Sequence, residues 1–316
     1  MTLRKALIVT SQGLGDGLMM MVASERLRHH GYLVVTMNSH LIGLKEWFTG
    51  HHFIPHPDLE NIEGIASQFD LIVMQHDNTP RTQRFIDLFR AGRLRSLVIF
   101  YASYDKNRHP PLTSWDVVFN QKRPMVENIA KAIAKFLRSS EVSTNNGIVA
   151  PTHLRFRRFR KRIVLHPTAS TEDRMWSKDG FSTFARWLRK KDFDPIFSLS
   201  KKEKETFDPT ILDEFFSPTI EKLSDLASLI YESGFVVGNE SGIVHLASNL
   251  QIPNLVISGH FKRIQQWKPG WLQGVVITPS SLIPNLKGFR IRELYWKSLL
   301  FPFQVKQGFK KLVSGI

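Results

Sequence analysis

Apolar runs of strand length alternate with stretches of helical spacing along most of this chain. Lys5 to Thr10 reads as a strand, Leu18 to His30 as a helix, Tyr32 to Thr36 as a strand, Leu41 to Phe48 as a helix and Asp70 to Met74 as a strand. Leu97 to Phe100 and Trp115 to Phe119 are further strand candidates, and Met125 to Leu137 is a helix. Such alternation predicts a parallel sheet with helices on both faces. Ser139 to Pro151, SSEVSTNNGIVAP, interrupts it with polar and turn-forming residues and reads as a linker. The alternation then restarts: Ile163 to Leu165 a strand, Lys178 to Lys190 a helix, Pro195 to Leu199 a strand, Leu223 to Glu232 a helix, and Phe235 to Val237 a strand. After the turn Gly238 to Gly242 come a helix from Ile243 to Leu250 and a strand from Pro253 to Ile257.

The expected fold class is α/β: two doubly wound domains, residues 1–150 and 151–316, with a ligand in the cleft between them outside the carboxyl ends of the strands. Ile291 to Val313 reads as one last helix with Leu294, Leu299 and Leu300 on its apolar stripe, expected to pack across the domain junction. No internal repeat and no low-complexity tract stands out.

Composition narrows the function classes. The 316 residues are 42% hydrophobic and 22% charged, a globular balance. No uninterrupted apolar run is long enough to cross a bilayer, and the N-terminal run is expected to be a strand rather than a cleaved leader. Cysteine is absent, which removes disulfides and thiolate metal sites and fits a reducing cytoplasm. The histidine pairs His29-His30 and His51-His52 are adjacent rather than at metal-ligand spacing, so no metal is expected. A net charge of +15 suggests an anionic partner: nucleic acid, a membrane surface or a phosphorylated substrate. The densest basic cluster, Arg155 to Arg162, has two readings, a solvated linker or a contact with an anionic membrane surface. No RNA-recognition, zinc-finger or basic-heptad pattern is present, so nucleic acid is not expected.

Three loops carry candidate chemistry. The first, with Gly13, Gly15, Asp16 and Gly17, follows the first strand but fails the dinucleotide fingerprint, because Leu18 stands where the third glycine belongs. A carboxylate there would also repel a pyrophosphate. Asp16 at a helix start, kept ionised by the helix dipole, is suited to accept a proton from a hydroxyl; the alternative is that it caps the helix. In the second loop, the hydroxyls of Thr168, Ser170 and Thr171 and the guanidinium of Arg174 could hold phosphate oxygens. The third lies between strand and helix. There Glu240 could accept hydrogen bonds from sugar hydroxyls, and the backbone at Ser241 and Gly242 could approach phosphates. His245, one turn further on, is either a ligand contact or a satisfied structural histidine.

Together these loops resemble glycosyltransferase family 9, the bacterial heptosyltransferases of lipopolysaccharide core assembly. The matching residues are Gly15-Asp16, then Arg174-Met-Trp176-Ser177, then Glu240-Ser-Gly-Ile-Val-His245-Leu-Ala-Ser-Asn249, with Pro253 and Gly259 after them. The chain departs from the family by Arg174 in place of lysine and Glu240 in place of aspartate. The resemblance implies the GT-B architecture, with an acceptor domain first and a nucleotide-sugar donor domain second. It implies an inverting, metal-independent transfer without cofactor, from a donor expected to be ADP-heptose to an anionic lipid-linked glycan. It places the general base on Asp16, phosphate contacts on Ser170, Thr171 and Arg174, donor-sugar contacts on Glu240 and a ribose contact on Glu203, in the loop after Pro195 to Leu199 with Glu205 nearby. The expected location is cytoplasmic, at the inner face of the inner membrane. A nucleotide-sugar epimerase or hydrolase on the same scaffold is the alternative.

Overall fold

The structure, a computed structural model, describes residues 3–280 and 291–315. The chain divides into two compact units, Met1–Val149 and Ala150–Ile316. Each is an α/β domain built on one parallel sheet.

In the first unit the strands are β1 (Lys5–Val9), β2 (Leu33–Met37), β3 (His52–Ile54), β4 (Leu71–His76), β5 (Leu97–Tyr101) and β6 (Val117–Val118). The helices are α1 (Leu14–His29), α2 (Ile62–Ala66), α3 (Pro80–Arg90) and α4 (Met125–Phe136). Among the described residues the sheet order is β3-β2-β1-β4-β5-β6, every pair parallel. The central strands are buried along nearly their whole length, because helices cover both faces. Period-two alternation sends Leu7, Val9, Ile72, Met74, Ile99 and Tyr101 to the face packed by Phe85, Ile86 and Leu88 of α3. The intervening residues face the other side.

Helix α1 begins at Leu14, four residues before the expected Leu18, so Gly15, Asp16 and Gly17 lie in its first turn rather than in a loop. Glycine is usually a poor helix residue, but at position 17 the lack of a side chain is required: a Cβ there would come within 2.7 Å of Asn38 Nδ2. The segment from Leu41 to Trp47 is a 3-10 helix, kinked at Leu44, where an α-helix was expected.

The second unit contains β7 (Phe159–His166), β8 (Asp194–Phe197), β9 (Ser233–Asn239), β10 (Asn254–Ile257) and β11 (Val275–Ile277). Its helices are α5 (Lys178–Arg189), α6 (Lys201–Thr206), α7 (Pro209–Glu214), α8 (Leu223–Tyr231), α9 (Gly242–Asn249), α10 (Phe261–Trp267), α11 (Ile291–Leu294), α12 (Trp296–Leu299) and α13 (Pro302–Ser314). Among the described residues the order is β11-β10-β9-β7-β8, all parallel. One face packs Phe181, Phe184 and Leu188 of α5 and Val305, Phe309 and Leu312 of α13 against Ile163, Leu165, Phe235, Val237, Leu255 and Ile257.

Two expectations are corrected here. The terminal segment is three helices instead of one. Pro302 has no N–H to donate and holds Phe301 extended (φ −87°, ψ 151°), so α13 can only start at the proline. Leu294 is 73% exposed while Leu300 is buried, and the apolar face of α13 joins the core of the second unit. The basic cluster is not wholly a linker either, since Phe159 to Arg162 already belong to β7. Arg162 donates from Nε to Ser233 Oγ at 2.8 Å and stacks on Phe159, and Arg157 lies over the Phe235 ring. Arg155, Arg158, Arg160 and Lys161 remain exposed.

Candidate functional site

In a doubly wound sheet, the loops at the carboxyl ends of the strands part where the strand order reverses, and that crevice is where ligands bind. In the first unit the reversal lies between β1 and β4. Asp16, in the first turn of α1, is at this point. Gln75, near the end of β4, donates from Nε2 to Asp16 Oδ1 at 2.6 Å. The N-cap of α1 is Gly13, without a side-chain cap, so Asp16 does not hold the cap position; its charge still favours the helix start. Gly13 leaves room for the carboxylate to fold back, since a Cβ there would stand 2.6 Å from Asp16 Oδ2.

Asn38 fixes the loop beneath. Its Nδ2 donates to Thr10 Oγ1 at 2.8 Å, Ser11 O at 3.2 Å and Gly13 O at 3.3 Å. Its Oδ1 accepts from the backbone N–H groups of His40 and Leu41. His56 reaches Thr10 O at 3.1 Å, and burial, reinforced by Arg81, holds its imidazole below the ordinary value.

At the ends of β4 and β5, His76, Tyr101, Tyr104 and His109 form a cluster of rings, with His76 and His109 centroids 4.7 Å apart. Next to it, burial pushes the Asp77 carboxyl up. Hydrogen bonds from Thr79 and Thr82, aided by Arg81, outweigh that and hold it below the ordinary value. Sequence reasoning passed over Gln75 and these rings. The signal available was a run of polar and aromatic residues directly after two apolar strands.

In the second unit the order reverses between β7 and β9. Asn239, the last residue of β9, is fully buried and ties the two sides together: Nδ2 donates to Pro167 O at 2.6 Å, and Oδ1 accepts from Trp176 N at 2.9 Å. Trp176 donates through Nε1 to Leu300 O, and Trp296 through Nε1 to Asp173 O at 2.8 Å. The loop from Pro167 to Trp176 is therefore held at both ends while Ser170 and Thr171 stay exposed and Arg174 half-exposed. The Thr171 hydroxyl also hydrogen-bonds Asp173, which holds that carboxyl below its ordinary value.

Thr168 is buried and joins a polar chain. Its hydroxyl lies 3.4 Å from His166 Nε2 and hydrogen-bonds Glu203. His166 Nδ1 is 3.1 Å from Ser198 O. Burial keeps His166 low despite the opposing pull of Glu203. Glu203 was expected in a loop; it is instead the third residue of α6, in a capping box with Ser200. Ser200-x-x-Glu203 carries that signature in the sequence itself. Burial raises the Glu203 carboxyl, but hydrogen bonds from Thr168 and Ser200 prevail and hold it below its ordinary value.

Glu240 follows Asn239 and is 7% exposed. Ser258 Oγ donates to its Oε2 at 2.9 Å, and Arg263 Nε lies 3.5 Å from its Oε1. Ser241 is the N-cap of α9 without a side-chain cap bond, and its own hydroxyl is buried with no protein partner among the described residues. The first turn of α9, beginning at Gly242, thus directs its N–H groups toward the loop that holds Glu240. His245 is buried within α9 and hydrogen-bonds the Trp267 backbone, and burial pushes its imidazole down to about 4. Its Nδ1 is buried with no protein partner among the described residues. The structure thus brings Thr168 next to Glu203 and pairs Glu240 with Ser258 and Arg263, neither of which the sequence reading had singled out.

A family model described as glycosyltransferase family 9 (heptosyltransferase) matches residues 99–271. This span contains the Thr168 to Arg174 loop, Glu203 and Glu240 to His245; Asp16 lies outside it. No curated protein matches the sequence. Among solved structures, the chain resembles E. coli ADP-heptose LPS heptosyltransferase II, with a TM-score of 0.70 at 14% identity over 98% of this chain and 99% of that one. It is similar to E. coli heptosyltransferase WaaC with ADP, with a TM-score of 0.70, 16% identity, and 98% and 99% of the two chains covered. The family 9 glycosyl transferase of Veillonella parvula gives a TM-score of 0.73 at 13% identity over 100% of this chain and 99% of that chain. At such identities the likeness establishes a common fold, the GT-B architecture of two parallel-sheet α/β domains. Because the family model covers more than half of the 316 residues, the chain belongs to glycosyltransferase family 9 and is a glycosyltransferase.

Proposed function

We propose that this enzyme transfers a sugar, heptose by its family, from an ADP-linked donor to an anionic lipid-linked glycan of the lipopolysaccharide core type, with inversion and without a metal or other cofactor. The observation that carries this reading is Asp16 at the strand-order reversal of the first sheet, its carboxylate oriented by Gln75. The Asp16 carboxylate takes the proton of an acceptor hydroxyl as that oxygen forms its bond to the donor's anomeric carbon. The bond from that carbon to the diphosphate oxygen breaks on the opposite side, and the electron pair leaves with the diphosphate. The developing charge there is met by Arg174 and by the first turn of α9 at Ser241 and Gly242. Glu240 accepts hydrogen bonds from the donor sugar and Glu203 from the ribose, while Ser170 donates to a phosphate oxygen and Thr171 does so once its hydroxyl turns away from Asp173.

Support for the donor comes from the relatives: one E. coli heptosyltransferase structure contains ADP and another ADP-2-deoxy-2-fluoro heptose. Glu240 is one methylene longer than the family aspartate, and Ser258 and Arg263 fix where it ends; this length is what adjusts the sugar that fits. No helix among the described residues is long and apolar enough to cross a membrane. The exposed Arg155, Arg158, Arg160 and Lys161 supply cations for an anionic membrane surface, which would place the enzyme at the cytoplasmic face where a lipid-linked acceptor is met.

The test is transfer from a panel of ADP, UDP, GDP and CMP sugars to lipid-linked core acceptors by wild type and Asp16→Asn. Transfer from the ADP sugar and a fall of roughly 10²–10⁴-fold in the folded variant are expected. Wild-type transfer by Asp16→Asn would remove Asp16 from the mechanism. Release of free sugar without acceptor would indicate a hydrolase instead.

A further inference from the structure

We infer that Gln75 is a positioning residue for this transfer, holding the Asp16 carboxylate in the orientation from which it takes the acceptor proton. The inference rests on the reading of Asp16 given above. Its physical basis is the position of a primary amide in a strand otherwise built for an apolar interior. Residues Leu71 to Met74 of β4 are apolar and buried, and Gln75 follows them only 3% exposed. Alternation places it on the face opposite Met74, and Met74 belongs to the α3 side, so Gln75 points to the side that carries α1.

The orientation of the amide follows from its partner. An ionised carboxylate only accepts, so the amide must present Nε2 to Asp16, and it does so at 2.6 Å, a short charge-assisted contact. Its Oε1 is then left buried with no protein partner among the described residues. Buried amides are normally satisfied at both ends, and a leucine of similar volume would suit this strand without that penalty. The uncompensated oxygen is what the fold tolerates in order to set a donor against Asp16. Gln75 lies across the strand-order reversal from the helix start it serves, on a strand paired with β1 through Val9 and Met74, so a rigid sheet determines the contact.

The experiment compares Gln75→Leu, Gln75→Glu, Asp16→Asn and the double variant Asp16→Asn/Gln75→Leu in steady-state transfer, with thermal midpoints to confirm folding. Gln75→Leu removes the donor while filling its space and should lower kcat on the order of 10–100-fold with donor KM within about twofold, the signature of a misaligned base. Gln75→Glu keeps the shape but sets an acceptor against a carboxylate, so its loss near neutral pH should exceed that of Gln75→Leu. On the Asp16→Asn background, Gln75→Leu should have no further effect, because the two residues act as one unit. Wild-type kcat in folded Gln75→Leu, or the same fold-loss with and without Asp16, overturns the inference while leaving Asp16 as the base. Wild-type transfer by Asp16→Asn overturns the reading of Asp16 and, with it, the role given to Gln75.

Discussion

Asn239 offers the sharpest test of how the second unit holds its loop from Pro167 to Trp176. Its side chain is fully buried and bridges Pro167 O and Trp176 N, both themselves buried. Asn239→Ala leaves a carbonyl and an N–H without partners in a place water does not reach. Each orphaned group costs about 1–3 kcal/mol, so a loss of about 3–4 kcal/mol is expected. Five of the seven tryptophans lie in this unit, so their fluorescence follows its unfolding in urea. With a slope of about 2 kcal/mol per molar urea, the midpoint should fall by roughly 1.5–2 M at unchanged slope. The same change frees the loop that carries Ser170, Thr171 and Arg174, so ADP binding measured by calorimetry should weaken at least about tenfold, the equivalent of 1.4 kcal/mol. A midpoint within about 0.3 M of wild type would show that neither bond contributes net stability, and the account of the loop would fail.

Two further outcomes follow from burial and close packing. Burial drives His245 from its usual 6.5 down to about 4, so the unfolded chain takes up this proton first. Its contribution to stability is complete above about pH 6.5 and disappears as the pH falls toward about 4, roughly 3 kcal/mol in all. The pH dependence of the urea midpoint should flatten across this window in His245→Gln, and an unchanged slope would refute the assignment. At Gly234, a Cβ would stand 1.9 Å from Arg160 O, in the irregular stretch of the β7–β9 pairing between Phe159 and Ile163. Gly234→Ala must therefore push the β7 and β9 backbones apart and is expected to cost about 3 kcal/mol or more in urea unfolding; a loss under about 1 kcal/mol would contradict it.

The sequence alone was sufficient for the architecture of two parallel-sheet α/β domains. Apolar runs of strand length separated by helical spacing specify parallel strands and covering helices, because burial follows the period of each element. That pattern drew attention to Asp16, to Thr168 to Arg174 and to Glu240, since each lies shortly after an apolar run. Boundaries were less legible. The first turn of α1 carries two glycines, which hid its start at Leu14, and the break before α13 rests on Pro302, a signal that was present but unused. The basic cluster concealed a strand because arginines can lie along a sheet margin when neighbours such as Phe159, Phe235 and Ser233 take their stems and donors.

Tertiary structure decided which residues complete the loops. Gln75 meets Asp16 across 59 positions, Asn239 meets Pro167 across 72, and Ser258 meets Glu240 across 18. None of these pairs falls within a helical or strand repeat, so no local period encodes it. They arise because a parallel sheet brings the carboxyl ends of distant strands side by side, where the free energy of burying a polar group selects its partner.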